Sequence, residues 1–338
     1  MHLKTLSLLA LTAHALETHG GYDFETRFTP GGAPETGGIK DSYESVAAAQ
    51  AASHLREQMR VKAVALGCLT EEDDASDDTQ TPITATTTTS PADLYALKEC
   101  IAKDKEDNFY TLLADDIKAS DAFWGKVVDE STKDRGKWVA ARSYNKAYFD
   151  GSLTALQFAA WTLSPAADRA NMGANPEHYH KSASVVNPAT GEQSSSILEG
   201  WGGVLSPSLG TKRSNFTVPS FTTPNADNTP AEWAIGAEFP LAFQRVGEKV
   251  LSSNGKTFGV LQIAVRDFDA AEGKKKGIEV YSAVWYPPWD GAQDEDVRKE
   301  FLGNHLADEA HHMVVEVINL TLKAREDCEA GGCVIPGM

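Results

Sequence analysis

Gly277-Ile-Glu-Val-Tyr-Ser-Ala-Val-Trp-Tyr286 reads as a β-strand, because β-branched and aromatic residues crowd it. Pro287 and Pro288 end it, since neither can donate a ladder hydrogen bond. A helix follows, from about Asp294 to Arg325. At helical spacing, Leu302, Leu306, Ala310, Met313, Val317, Leu320 and Ala324 fall on one stripe. Beside it runs a second stripe of His305, Glu309, His312 and Glu316. An aromatic strand followed by a helix with four ionisable groups beside its apolar face predicts the wall of a pocket.

Working outward, the residues before this unit change character once. From His178 onward, short β-type runs alternate with turn signals: 178–186, 194–198, 216–221, 233–246, 258–267 and 278–286. Asn187-Pro188, Ser253-Asn254-Gly255 and Ala271-Glu272-Gly273 separate them. Short loops between successive strands imply antiparallel pairing. Upstream the reading is helical: 43–66, a helix opened by Ser90-Pro91-Ala92-Asp93, then 121–130 and 137–163, with a break at Asp150-Gly151. The expected fold class is α+β. A helical N-terminal part, 43–170, precedes a curved, barrel-like antiparallel sheet that the C-terminal helix closes, 171–327. Residues 16–42 read as an extended arm, 69–92 as a disordered acidic and threonine-rich loop, and 328–338 as a tail.

The N-terminus carries a leader pattern. Met1-His2-Leu3-Lys4 is weakly basic, 6–13 is apolar, and Ala13-His14-Ala15 offers small residues for cleavage after Ala15. The run is too short to span a bilayer, and no second apolar run approaches roughly 20 residues. The expectation is a secreted or lumenal protein with no membrane span. Four cysteines agree with an oxidising compartment: Cys68, Cys100, Cys328 and Cys333. Of three pairings, Cys68–Cys100 and Cys328–Cys333 are favoured. Asn215-Phe-Thr and Asn319-Leu-Thr are glycosylation sequons, although a buried Asn319 would carry no sugar.

Composition excludes some partners. The 338 residues are 41% hydrophobic, enough for a large core, and carry a formal net charge of −17. That charge argues against nucleic acid, whose phosphates need a basic surface. The chain has no Gly-x-Ser-x-Gly elbow, dinucleotide glycine fingerprint, P-loop or His-Glu-x-x-His helix, so no cofactor is called for.

Three constellations carry chemistry. His178-Tyr179-His180 places two imidazoles on one face of a strand, suited to one ligand or metal, or to a hydrogen-bonded strand start. The helical stripe His305, Glu309, His312 and Glu316 sets imidazoles beside carboxylates, suited to acid–base work or to the solvated edge of an amphipathic helix. Glu309-x-x-His312 matches the spacing of di-iron bundles, but no second copy occurs, and no metal site is assigned. Glu199-Gly-Trp-Gly-Gly203 lets a ligand approach closely, and with Trp233, Trp285 and Tyr286 predicts an aromatic pocket for a flat apolar molecule, or ordinary core packing. Catalytic candidates are thus His178, His180, His305, Glu309 and His312. Substrate-binding candidates are Trp201, Trp233, Trp285 and Tyr286.

The leader, the helical front half, Asn175-Pro-Glu-His-Tyr179, Glu199-Gly-Trp-Gly-Gly203 and Asn319-Leu-Thr321 resemble secreted fungal biosynthetic-cluster proteins of the hetero-Diels–Alderase type, from tropolone–sesquiterpenoid pathways. The likeness covers roughly 90–328. It implies a cofactor-free cyclase that holds an apolar polyene and a quinone methide together, with a polar group steadying charge on oxygen. The alternatives are a secreted carrier of an apolar ligand and a metal-dependent enzyme using the histidines.

Overall fold

The computed structural model describes residues 13–30, 39–62, 67–68, 90–103, 108–182, 185–186, 193–269 and 276–333. Among the described residues, ten strands form one antiparallel sheet. They are β1 (Ala13–His19), β2 (Tyr22–Thr29), β3 (Val139–Tyr148), β4 (His178–Lys181), β5 (Val185–Val186), β6 (Gln193–Trp201), β7 (Lys212–Thr222), β8 (Gln244–Leu251), β9 (Thr257–Phe268) and β10 (Gly277–Tyr286). The order across the sheet is β1-β2-β3-β10-β9-β8-β7-β6-β4, with β5 also on β6. The sheet is curved but not closed. The helices are α1 (Ile39–Val61), α2 (Pro91–Ala102), α3 (Asn108–Leu112), α4 (Ala114–Asp129), α5 (Ala155–Trp161), α6 (Pro165–Ala174), α7 (Glu295–Glu300) and α8 (Leu306–Glu329). The α+β class and the closing C-terminal helix are as the sequence indicates.

Four elements depart from the sequence reading. The expected arm contains a hairpin, β1 and β2, turning at Gly20 and Gly21. Both glycines have positive φ, 55° and 81°, which a two-residue hairpin turn needs. The stretch around Val139 to Tyr148 is a strand, not a helix. Its inward residues Ala141, Ser143, Asn145 and Ala147 are small and let α8 lie close over the sheet. β3, within the part read as helical, pairs with both β2 and β10 of the sheet. Residues 233–246 are mostly not strand; short 3-10 turns at Ala231–Trp233 and Leu241–Phe243 precede β8. Finally, the long helix is interrupted by a π-helical turn, Phe301–His305.

Two faces of the sheet are covered, which is why every residue of β10 is buried. On one face lie Ile278, Val280, Val284 and Tyr286, packed towards α8. On the other, Tyr281, Ala283 and Trp285 pack under Trp233 and Phe239. A second core joins α1, α2 and α3 through Ala48, Leu55, Leu94, Ile101 and Phe109 to Tyr179 and Leu198. The start of α2 at Ser90 is a capping box: Ser90 Oγ accepts from Asp93 N at 3.2 Å, and Asp93 Oδ2 accepts from Ser90 N at 3.1 Å. Both expected cysteine pairs, Cys68–Cys100 and Cys328–Cys333, are bonded. Among the described residues, no helix is long and apolar enough to cross a membrane. Residues 1–12 of the expected leader and the acidic, threonine-rich stretch at 69–89 lie outside the described residues, while Ala13 to Ala15 begin β1 and pair with β2.

Candidate functional site

The concave face of the sheet and the helices over it enclose a cavity of about 530 Å³. That volume suits one drug-sized molecule. Period-2 alternation supplies its walls: Phe216 and Val218 from β7, Leu261, Ile263 and Val265 from β9, Val280, Ser282 and Val284 from β10. The opposite wall is Phe158 and Trp161 of α5, with Met313, Val317 and Leu320 of α8. Leu163, Ala242 and Arg245 stand at the outer, more exposed end. The inner end is polar, and its groups are almost wholly out of solvent.

Glu199, Lys249, Glu309, Tyr286, His178, His312 and Glu316 form that inner end. Glu199 of β6 bonds Lys249 of β8, Oε1 to Nζ 3.0 Å. Lys249 Nζ lies 4.0 Å from Glu309 Oε1 and 4.1 Å above the Trp201 ring. The Tyr286 hydroxyl donates to Glu309 Oε1 at 3.0 Å, while Glu309 Oε2 is buried without a partner. His178 of β4 and His312 of α8 meet Nε2 to Nε2 at 2.8 Å, and His178 Nε2 is 3.4 Å from Glu199 Oε2. Glu316, one turn beyond His312, accepts from Asn171 Nδ2 at 3.3 Å.

Burial separates the protonation states. It lifts the Glu309 carboxyl to about 7, Lys249 opposing and Glu199 reinforcing. It lifts Glu316 to about 8. Burial pushes Glu199 upward too, but Lys249, His178 and His312 outweigh it and hold that carboxyl at about 2. Burial depresses His178 to about 4 and His312 to about 3, so both are neutral imidazoles near neutral pH. A carboxylate, a protonatable carboxyl and an ammonium therefore sit within one small space.

Two buried cations hold the turn that presents His178. Lys98 Nζ lies within hydrogen-bond distance of four carbonyl oxygens, of Met172 (2.5 Å), Asn175 (2.8 Å), Pro176 (3.2 Å) and His178 (2.7 Å). Arg213 binds Glu177 through two nitrogens, at 2.9 and 2.8 Å. The turn thus ends β4 in one orientation.

The sequence candidates divide. Glu309 and His312 line the cavity, and His178 joins them at its inner end. His180 does not. A bulge between His178 and His180 breaks the shared face, and the His180 ring packs edge-on to Tyr110 of α3. His305 does not either: it sits on the π turn against Gly202, Phe123 and Phe301, away from the cavity lining. A Cβ on Gly202 would lie 2.6 Å from that imidazole, so this glycine admits His305, not a ligand. Trp233 and Trp285 stack at 4.7 Å on the far face of the sheet. Trp201 supports Lys249 from the core, and Tyr286 reaches the site only through its hydroxyl. Of the sequons, Asn215 is partly exposed in β7, whereas Asn319 Nδ2 donates to Glu44 and to the Ala174 carbonyl, both at 3.0 Å.

Glu316 belongs to the helical stripe and Glu199 opens the glycine–tryptophan segment, but neither carries an assigned role in the sequence reading, and Lys249 and Asn171 are not singled out there at all. Lys249 had a readable signal: it occupies the inward slot between Gly247 and Leu251 of an alternating strand. Neither a family model nor a curated protein sequence matches this chain.

Proposed function

We propose that this protein is a secreted enzyme of small-molecule biosynthesis that closes a ring on an apolar substrate, in a hetero-Diels–Alder type reaction. The observation that supports this reading most is the apolar cavity of about 530 Å³ whose inner end holds Lys249 beside Glu309. An apolar polyene fits the walls, and a quinone methide sets its single oxygen against the Lys249 ammonium. Glu309, half protonated near pH 7, gives a proton to the benzylic hydroxyl of an ortho-hydroxybenzyl precursor. Water leaves, and the phenol proton returns to Glu309. The quinone methide then adds to an alkene of the polyene, forming one C–C and one C–O bond with no leaving group. The enclosure supplies proximity, and Lys249 stabilises negative charge on the oxygen. The bonded cysteine pairs are compatible with a secretory compartment.

The test is direct. An ortho-hydroxybenzyl alcohol and a cyclic sesquiterpene polyene are incubated with protein, and the adduct is followed by chiral chromatography with mass detection. One enantiomer should form faster than in buffer, and Lys249→Met should abolish the excess. Equal rates and a racemic adduct with and without protein would refute turnover, and saturable binding in that case would leave a carrier.

A further inference from the structure

We propose that His178, His312 and Glu316 form a binding site for a divalent transition-metal ion of the zinc type at the inner end of the cavity. The site stands independently of what the cavity turns over. One ligand atom from each residue lies within 4.8 Å of the others. Two imidazole nitrogens and one carboxylate oxygen are a common ligand set for zinc.

The hydrogen bonds fix which atoms are free to ligate. His178 Nδ1 lies 3.1 Å from the Asn171 carbonyl oxygen. A carbonyl only accepts, so the proton of neutral His178 is on Nδ1 and Nε2 carries a lone pair. That lone pair faces His312 Nε2 at 2.8 Å and the Glu199 carboxylate at 3.4 Å. The His312 Nε2 proton can satisfy that lone pair; with His312 protonated on Nδ1 instead, both Nε2 atoms carry lone pairs that a cation can share. On a tetrahedral ion with bonds of about 2.0–2.1 Å the two nitrogens sit about 3.3 Å apart, which a small rotation of either ring provides.

The surroundings are built as supports for ligands. Asn171 serves two of them, its carbonyl orienting His178 and its Nδ2 orienting Glu316 at 3.3 Å. Groups in this position fix a ligating imidazole and its tautomer. His312 and Glu316 are one turn apart on α8, and the turn at His178 is held by Lys98, so the ligands stand on rigid elements. Lys249 is paired with Glu199 at 3.0 Å and lies 4.0 Å from Glu309, and Lys181 is paired with Asp168 at 2.9 Å, which leaves the Glu316 carboxyl with Asn171 as its hydrogen-bond donor. His312 and Glu316 line the cavity, so the ion's remaining position opens into it.

Zinc titration of chelator-treated protein by calorimetry tests this, with cobalt(II) absorption as a second readout of the same ligands. The wild type should bind one equivalent with a sub-micromolar Kd, and cobalt should give the intense visible bands of a four-coordinate site. Glu316→Gln and His312→Gln should each weaken zinc at least tenfold, and Asn171→Ala by 10–100-fold. His54→Gln, at a partly exposed pair with Asp116, should leave binding unchanged. Absence of one-equivalent binding by the wild type overturns the site whatever the variants do. Equal binding by folded Glu316→Gln and His312→Gln, with circular dichroism as the check on folding, overturns it as well.

Discussion

His178 Nε2 and His312 Nε2 stand 2.8 Å apart although 134 positions separate them in the chain. The contact ties the edge strand β4 to the second turn of α8. It forms because α8 crosses the sheet over β3 and because the turn before β4 is held from behind by Lys98 and Arg213. The polar end of the cavity is where these two elements converge.

Glu309 is the group whose protonation matters most for the proposed chemistry. Glu309→Gln keeps a partner for the Tyr286 hydroxyl but holds no transferable proton. Turnover should fall about 10²–10⁴-fold while binding of an apolar ligand changes little. In the wild type the acid form is lost as pH rises through about 7, so the rate should decline on the alkaline side and the decline should be absent from Glu309→Gln. A pH–rate profile of both proteins checks this.

Stability should fall on acidification. His178, His305 and His312 have folded values lowered to about 4, 3 and 3, so they weaken the fold as pH falls below the ordinary imidazole value near 6.5. Glu309 and Glu316, raised to about 7 and 8, weaken it as pH rises from the ordinary carboxylate range, so they offset part of that loss down to about pH 4.5. Below about 4.5 the offset ends, Glu199 adds to the histidines, and stability falls more steeply. Above about 7 Lys98, which burial lowers to about 7, opposes Glu316. Thermal midpoints across pH 3–8 should trace the acid flank, and Glu316→Gln should gain stability relative to the wild type as pH rises from about 4.5 to 8.

Lys98, whose amine burial lowers to about 7, is a structural group outside the cavity lining. Lys98→Met withdraws the donor from four carbonyls, and each orphaned buried acceptor costs about 1–3 kcal/mol. Urea denaturation should show a loss of at least about 3 kcal/mol. A loss below about 1 kcal/mol would mean that the turn holds itself.

Trp233 and Trp285 stack on the face of the sheet opposite the cavity. Trp233→Ala should cost about 3–5 kcal/mol of stability and leave ligand uptake unchanged. Weakened uptake at unchanged stability would return these rings to the binding site.

Asn319 should carry no glycan. The nitrogen that would be modified donates to Glu44 and Ala174 at 3.0 Å each. Glycopeptide mass spectrometry of protein from a secretory host should find Asn319 bare.

Legibility differed by residue for physical reasons. The final strand and helix were readable because a β-branched, aromatic run and a 3.6-residue apolar stripe each have one simple solution. That stripe also gave Glu309 and His312. It misplaced His305, because the π turn at Phe301–His305 inserts a register shift that periodicity does not reveal. Strand β3 reads as helix in the sequence because Ala140, Ala141, Arg142, Lys146 and Ala147 favour helices locally. The structure uses the small ones to admit α8, a tertiary demand that overrides propensity. Pairing of His178 with His180 failed at a bulge. Glu199 and Lys249 meet across the inner sheet face, with β7 running between their strands, and no local pattern announces that contact.

The central claim is that the cavity between α8 and the sheet takes up one apolar molecule. Fluorescence titration with N-phenyl-1-naphthylamine, a neutral apolar probe, measures it most directly. The account predicts saturable uptake of one equivalent by the wild type, abolished in folded Ile263→Trp, whose indole fills the wall of the cavity. Absence of saturable uptake, or equal uptake by Ile263→Trp, would contradict it.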